Sequence, residues 1–160
     1  NIDLIKNMVP GRRALDIACG EGRNSIFLAR HGFDVLGLDI SIAGLEKARA
    51  WMERERVKID FRRQNLENYA FTESFDLIIN FNFLLRDMIP LSVKALNPGG
   101  VFVFDTLLDS PYVPHNHNKE YLLAPGELTR IFRDFEGAIL LPEERFHDPM
   151  PTAKLIFHKK

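Results

Sequence analysis

The stretch ALDIACGEGRN, residues 14–24, decides the reading of this chain. A short apolar run carries an acid, Asp16, near its end and falls into a loop of small residues, Ala18-Cys19-Gly20-Glu21-Gly22. The apolar part reads as a buried strand. A helical pattern follows from Gly22 to Arg30, with Gly32 just past its end as a stop signal. Strand, glycine loop and helix in that order form the first unit of an α/β sheet, and in such sheets ligands bind beyond the carboxyl ends of the strands. Gly20 and Gly22 permit a sharp turn and let a ligand approach the backbone, because no side chain blocks it.

The pattern continues on both sides of the loop's first neighbour. DVLGLDI (34–40) reads as a second strand, and Ser41 as the cap of a helix that runs to about Arg56 with Leu45, Ala48 and Met52 on one face. KIDFRR (58–63) alternates as a third strand, and FDLIIN (75–80) is apolar enough for burial on both faces. Leu84, Met88, Leu91 and Ala95 recur at helical spacing, Asn97-Pro98-Gly99-Gly100 is a turn, and VFVFDT (101–106) is a fifth strand. Alternating strands and helices predict a parallel sheet covered on both faces. The tail differs: a Pro- and His-rich loop (107–124), a short helix GELTRIF (126–132), then GAILLPEERF (137–146) and AKLIFHKK (153–160). The last two runs lie too close for a crossover helix, so they are expected to pair antiparallel. No repeat, low-complexity tract or linker divides the chain, which is read as one domain over 1–160.

Composition excludes several classes of function. The hydrophobic share is 46%, the charged share 27% and the net charge −1, which argues against a protein that coats nucleic acid or an anionic membrane. The basic run Arg54, Arg56, Lys58, Arg62 and Arg63 is interleaved with Glu53, Glu55 and Asp60 and reads as a solvated surface. A single cysteine forbids an internal disulfide, and a reducing, cytoplasmic setting is the simplest reading. No apolar run has the length of a membrane span. The chain begins with Asn rather than Met, so some N-terminal residues are expected to be missing from it.

Asp39 ends the second strand 19 residues after Gly20, about the spacing at which an acid accepts hydrogen bonds from ribose hydroxyls. Loop and acid together indicate a bound nucleoside. A dinucleotide fingerprint would have Gly or Ala where Ser25 stands, and Asp16 beside the loop would repel a pyrophosphate. A nicotinamide-dependent oxidoreductase is therefore disfavoured, and a ligand with a cationic group fits the acid better.

At this point the sequence resembles the class I S-adenosylmethionine-dependent methyltransferases over nearly its whole length. ALDIACGEG is similar to that family's first motif, D-x-[GA]-x-G-x-G, with Asp16, Ala18, Gly20 and Gly22 on its positions. VLGLDIS resembles the second, RRQNLEN the third, FDLIINFNF the fourth and LNPGGVFVFDT the fifth. GEGRNSIFLARHGFDVLGLDIS and FNFLLRDMIPLSVKALNPGG look most like the small methyltransferases related to tellurite-resistance proteins. The resemblance implies a Rossmann-like three-layer α/β sandwich with a mostly parallel seven-stranded sheet and an antiparallel last strand. It implies S-adenosyl-L-methionine as cofactor, S-adenosyl-L-homocysteine as product, and a small-molecule acceptor such as a thiol, metalloid oxyanion or small metabolite. Nucleic acid and membrane are not expected as partners, and no motif speaks to the oligomeric state. The alternative is a module that binds the same cofactor without turnover.

The resemblance places the cofactor among Asp16, Ala18, Cys19, Gly20, Gly22 and Asn24 in the first motif, with Asp39 and Ile40 on the ribose side. Asn65 and Leu66 take the adenine, with Asn65 where the family often has Asp, and Asn80 and Phe81 take the methionine end. Ala18 replaces the family's first glycine. Cys19 reads as a small packing residue rather than a nucleophile, and Phe83 as core. Asn80-Phe81-Asn82-Phe83 lacks the two prolines that amine-directed relatives carry at this place, which disfavours a nucleic-acid amine as acceptor. On the acceptor side the candidates are Arg86, Tyr112, His115 and His117. Arg86 reads equally as an anion-attracting residue or a surface ion pair. The His-x-His pair lacks the further ligands of a metal site, so no metal is expected.

Overall fold

A computed structural model of the chain describes residues 2–113, 117–147 and 150–160. Helix α1 (Ile2–Met8) leads into β1 (Arg13–Ile17), α2 (Arg23–Arg30), β2 (Asp34–Asp39), α3 (Ile42–Glu55) and β3 (Ile59–Arg63). A short 3-10 turn, Leu66–Asn68, precedes β4 (Phe75–Phe81), α4 (Met88–Ala95) and β5 (Leu96–Leu107). A second such turn, Lys119–Tyr121, precedes α5 (Glu127–Arg133), β6 (Gly137–Ile139), β7 (Glu143–Arg145) and β8 (Thr152–Lys159). The sheet order is β3-β2-β1-β4-β5-β8-β6, with β7 also paired to β8. The first five strands are mutually parallel, whereas β8 runs antiparallel between β5 on one side and β6 and β7 on the other.

The apolar runs become central strands because both of their faces find cover. Leu15, Ile17, Leu36, Leu38, Ile78, Phe102 and Phe104 point to one face, under α4 and α5. Ala14, Val35, Leu77, Ile79, Val101 and Val103 point to the other, under α1, α2 and α3. Chain direction along the sheet reverses between β1 and β4, since β1 is followed by β2 outward on one side while β4 fills the other. This is where an open α/β sheet leaves a crevice at its carboxyl edge.

Three local features differ from the sequence reading. The crossover from β3 to β4 holds only the 3-10 turn, because residues 64–74 are too few for a packed helix and its loops. In α4 the buried side chains are Met88, Ile89, Ser92, Val93 and Ala95, while Leu91 is exposed. The buried stripe thus follows adjacent pairs four residues apart rather than the leucine spacing. The 137–146 run is two short strands, and Pro142 follows the break at Leu140 and Leu141. Four steps from Ile139 to Glu143 oppose three on β8, Phe157 to Lys154, so one extra residue is accommodated there as in a β-bulge. Ser41 caps α3 as expected, accepting from the Gly44 N–H at 3.1 Å.

Candidate cofactor and acceptor site

After Ile17 the chain leaves β1 through residues with left-handed backbone: Ala18 at φ 53°, Gly20 at φ 55° and Gly22 at φ 84°. The two glycines serve different ends. A Cβ on Gly20 would meet nothing within 4 Å, so its face of the loop is open. A Cβ on Gly22 would come 2.9 Å from both Ala48 and Phe61, so this glycine lets the start of α2 pack onto α3 and β3. Ala18 adopts the same sense of turn with a methyl group, a conformation that is uncommon for a non-glycine residue.

Asp39 ties this loop to the next element. Its Oδ2 accepts from the Gly20 N–H at 2.7 Å and its Oδ1 from the Ser41 N–H at 2.8 Å. The acid therefore holds the glycine loop against the N-terminus of α3. Each carboxylate oxygen keeps a further lone-pair site for a ligand hydroxyl.

Asp16 is buried, with 2% of its surface exposed, on the same face of the sheet as Ile79, its register partner on β4. The Ser25 hydroxyl donates to its Oδ2 at 2.6 Å. Burial pushes the Asp16 carboxyl up to about 7; the hydrogen bonds from Ser25 oppose the rise, the nearby Asp39 adds to it, and Arg23 opposes it. Asp76, another buried acid, contrasts with it at the opposite end of the sheet. It accepts from the Arg13 N–H and the Asn97 amide, each at 2.9 Å, and joins strands there. Asp16 instead joins β1 to the first turn of α2 through Ser25.

Ala18, Asp39, Ile40, Asn65 and Leu66 line one cavity of about 270 Å³. Gln64 and Glu67 share that wall, while Phe83, Leu84, Leu85 and Tyr121 close the opposite one. Asn65 Oδ1 accepts from the Glu67 N–H at 3.1 Å and so shapes the 3-10 turn that carries Leu66. Asn80 is buried, and its amide donates to the Phe83 carbonyl at 2.6 Å. It thereby fixes the turn at Asn82 (φ 53°) that delivers Phe83 to Leu85 to the cavity. Phe83 packs on the core and lines the cavity too, a second role that its place in an aromatic run hides. Gln64, Glu67, Leu84, Leu85 and Tyr121 line the cavity as well and are not among the site candidates of the sequence. The first four adjoin motif residues, but Tyr121 comes from a distant loop with no motif around it.

The remaining candidates lie elsewhere. Cys19 packs toward Gly37, where a Cβ would come 3.1 Å from its sulfur. Burial, then Asp16 and Asp39, push its thiol pKa up, so it is a neutral packing group. Asn24 and Phe81 sit on the α1–α2 face of the sheet in a separate groove. Tyr112 is exposed and packs edge-on to His147 with ring centroids 5.2 Å apart. His117 lines a separate cavity with Asp109, Ser110, Val113 and Lys119. His115 lies outside the described residues.

Arg86 is committed to the protein. Its Nε donates to Glu127 Oε1 at 2.6 Å and its second terminal nitrogen to Glu127 Oε2 at 3.0 Å. It also donates to the carbonyls of Glu120 at 2.7 Å and Leu122 at 2.9 Å. This fork brackets Tyr121 and holds it at the cavity. Arg86→Ala is expected to cost about 1–2 kcal/mol, a fall in Tm of about 4 °C, and to raise amide exchange at residues 119–127. Thermal melting with hydrogen exchange checks this. An unchanged exchange rate in that loop would contradict the clamp.

The geometry is a cavity of about 270 Å³ at the switch point, with Asp39 on its wall and the buried Asp16 on the neighbouring strand. A family model described as a methyltransferase domain matches residues 14–100, more than half of the chain. The chain belongs to that family. This methyltransferase domain is 36% identical over 132 residues to the ubiquinone biosynthesis O-methyltransferase of Nitrosococcus oceani, covering 77% of this chain and 53% of that protein. It is 27% identical over 142 residues to the probable S-adenosyl-L-methionine-dependent methyltransferase TehB of Haemophilus influenzae, 84% of this chain and 49% of that one. The crystal structure of Haemophilus influenzae TehB superposes with a TM-score of 0.81 at 25% identity, covering 99% of this chain and 61% of that one. The methyltransferase domain thus has the class I fold, with a mostly parallel sheet and an antiparallel C-terminal strand, and is related to TehB. A magnesium protoporphyrin IX methyltransferase from Synechocystis, crystallised with S-adenosylhomocysteine, shares the fold with a TM-score of 0.79 at 17% identity, covering 98% of this chain and 78% of that one. The chain spans about half the length of the curated relatives it matches. Among the described residues no helix is long and apolar enough to cross a membrane, and no group of three or more His, Cys, Asp or Glu is placed to hold a metal ion.

Proposed function

We propose that this methyltransferase domain binds S-adenosyl-L-methionine and passes its methyl group to a small-molecule acceptor by in-line displacement. One observation carries the reading: Asp16, the open face of Gly20 and Asp39 converge at the carboxyl ends of β1 and β2, beside a cavity of about 270 Å³. The residues fit the cofactor. Asp39 retains acceptor sites for two ribose hydroxyls, and Ile40, Leu66 and Phe83 offer apolar walls to the adenine. Asp16, desolvated and anionic above neutrality, suits the ammonium of the methionine end. When bound, the cofactor supplies a methyl on a sulfonium, an electrophile that needs no activation by the protein. The protein's share is to hold, to orient and to exclude water, and orientation of this kind contributes on the order of 7–11 kcal/mol in favourable systems.

The matched relatives support the same reaction type through their names, an O-methyltransferase of ubiquinone biosynthesis and the TehB proteins. Incubation with S-adenosylmethionine and, separately, catechol, 2-mercaptoethanol and sodium tellurite tests the reading. S-adenosylhomocysteine is expected to form only when an acceptor is present. Cofactor binding with no product from any acceptor class would favour a module that binds without turnover.

A further inference from the structure

The backbone around Tyr121 is held from several sides, and its ring is left in water. The Tyr121 N–H donates to the Asn118 carbonyl at 3.0 Å, and the Asn118 side chain accepts from the Glu120 N–H at 3.1 Å. Two residues on, the Leu123 N–H donates to Leu107 O at 3.0 Å and Leu123 O accepts from the Asp109 N–H at 2.7 Å, which ties the segment to the exit of β5. Arg86 holds the carbonyls of Glu120 and Leu122, one on each side of Tyr121. Glu127, its partner, also accepts from the Ala124 N–H at 2.8 Å. Leu122 and Leu123 are buried, whereas Tyr121 leaves 61% of its surface exposed and packs in neither hydrophobic cluster.

A single exposed aromatic residue is ordinary. This one has company. Ile40, 56% exposed, lines the same cavity, as do Leu66 and Phe83. Leu85 lines it too and is the chain neighbour of Arg86, so one short segment after β4 both shapes the cavity and holds the turn that carries Tyr121. The lining includes Asp39 and Asn65, on the ribose and adenine side, whereas Asp16 and Gly20, on the methionine side, lie outside it.

We propose that Tyr121 is a further cofactor-binding residue, whose ring covers the adenosine half, and that Arg86 and Glu127 are positioning residues that act through it. This rests on the cofactor reading above and adds a residue that none of the five motifs contains. A purine seated in the cavity takes the exposed surfaces of Tyr121 and Ile40 out of water, and the tyrosine ring offers it a face to stack on. Because the fork fixes the backbone beforehand, the ring gives up only side-chain freedom on binding.

Calorimetric titration of S-adenosylhomocysteine, below the melting range of every variant, tests this. Tyr121→Ala is expected to weaken binding about tenfold, the order of loss when an aromatic side chain is removed from a stacked base. Its Tm should stay that of the parent, since the side chain is exposed. Tyr121→Phe keeps the ring and should retain the parent's affinity. Arg86→Ala should weaken binding as well, but adding it to Tyr121→Ala should cost nothing further, because the fork acts through the ring. In the complex, nuclear Overhauser contacts are expected between the Tyr121 ring protons and those of the adenosine. Unchanged affinity in Tyr121→Ala, or ring contacts to the homocysteine part alone, would overturn the assignment. An undiminished loss from Arg86→Ala in the Tyr121→Ala background would overturn the positioning role. Absence of S-adenosylhomocysteine binding by the parent would instead overturn the cofactor reading, and this assignment with it.

Discussion

Asp39→Ala is expected to weaken S-adenosylmethionine binding about a hundredfold, and by no less than tenfold, in a protein that still folds. The affinity term comes from the ribose hydroxyls, since each hydrogen bond to a charged acceptor contributes about 1.5–3 kcal/mol and a hundredfold is about 2.7 kcal/mol. A stability term accompanies it, because the carboxylate also accepts from the Gly20 and Ser41 N–H groups. These bonds are partly solvated, so their loss should cost about 2 kcal/mol and lower Tm by about 4–8 °C. The loop would keep the Cys19 N–H, which donates to Leu38 O at 2.9 Å, and the exposed pair of Glu21 with Lys47 of α3 at 2.6 Å. Calorimetry on the variant, with its melt recorded alongside, separates the two effects. Unchanged affinity in a folded variant would reject Asp39 as the ribose acid.

Asp16→Asn is expected to move stability and affinity in opposite directions. In the unfolded chain Asp16 loses its proton near 3.8, whereas in the folded chain it holds it to about 7. Between those values the folded state binds more protons, so ionisation costs stability as pH rises from about 4 to about 7, and the full cost is present above that range. About three pH units correspond to about 4 kcal/mol. The amide does not ionise, and its oxygen still accepts from Ser25. The variant should therefore be more stable than the parent by about 4 kcal/mol at pH 8 and equal to it below pH 4. Its affinity for S-adenosylmethionine should fall about tenfold at pH 8, since the anion opposite the ammonium is gone. Melts of both proteins from pH 4 to pH 8 check the first part. Parallel curves across that range would show that Asp16 ionises in the folded chain as it does in water.

The legible part of the fold was the part written in local chemistry. ALDIACGEG carries its strand, its left-handed turn and its helix start within a few residues, and Ser41 caps α3 through a contact three residues away. Asp39 could be placed by spacing because β1 and β2 are adjacent parallel strands with a fixed register. What escaped depends on contacts far apart in the chain. Arg86 finds Glu127 some 41 residues on, so neither residue alone reveals the clamp or brings Tyr121 to the cavity. Leucines mark a helical stripe only where the helix is covered, and α4 buries Met88 and Ala95 as expected but joins them with Ile89 and Val93 rather than Leu91. Phe83 packs on the core, as an aromatic at a strand end does by default; the Asn80 hydrogen bond that also brings it to the cavity has no sequence signature. The motif around Gly22 points to ligand approach, whereas the close contacts of its Cβ position with Ala48 and Phe61 show that helix packing also demands a glycine.

The cavity at the ends of β1 and β2 is the place proposed for S-adenosylmethionine. Calorimetric titration of S-adenosylmethionine and S-adenosylhomocysteine into the purified chain, with NADH as control, tests it most directly. Micromolar binding of the first two with none of NADH is the predicted result. Binding of NADH, or of none of the three, would contradict it.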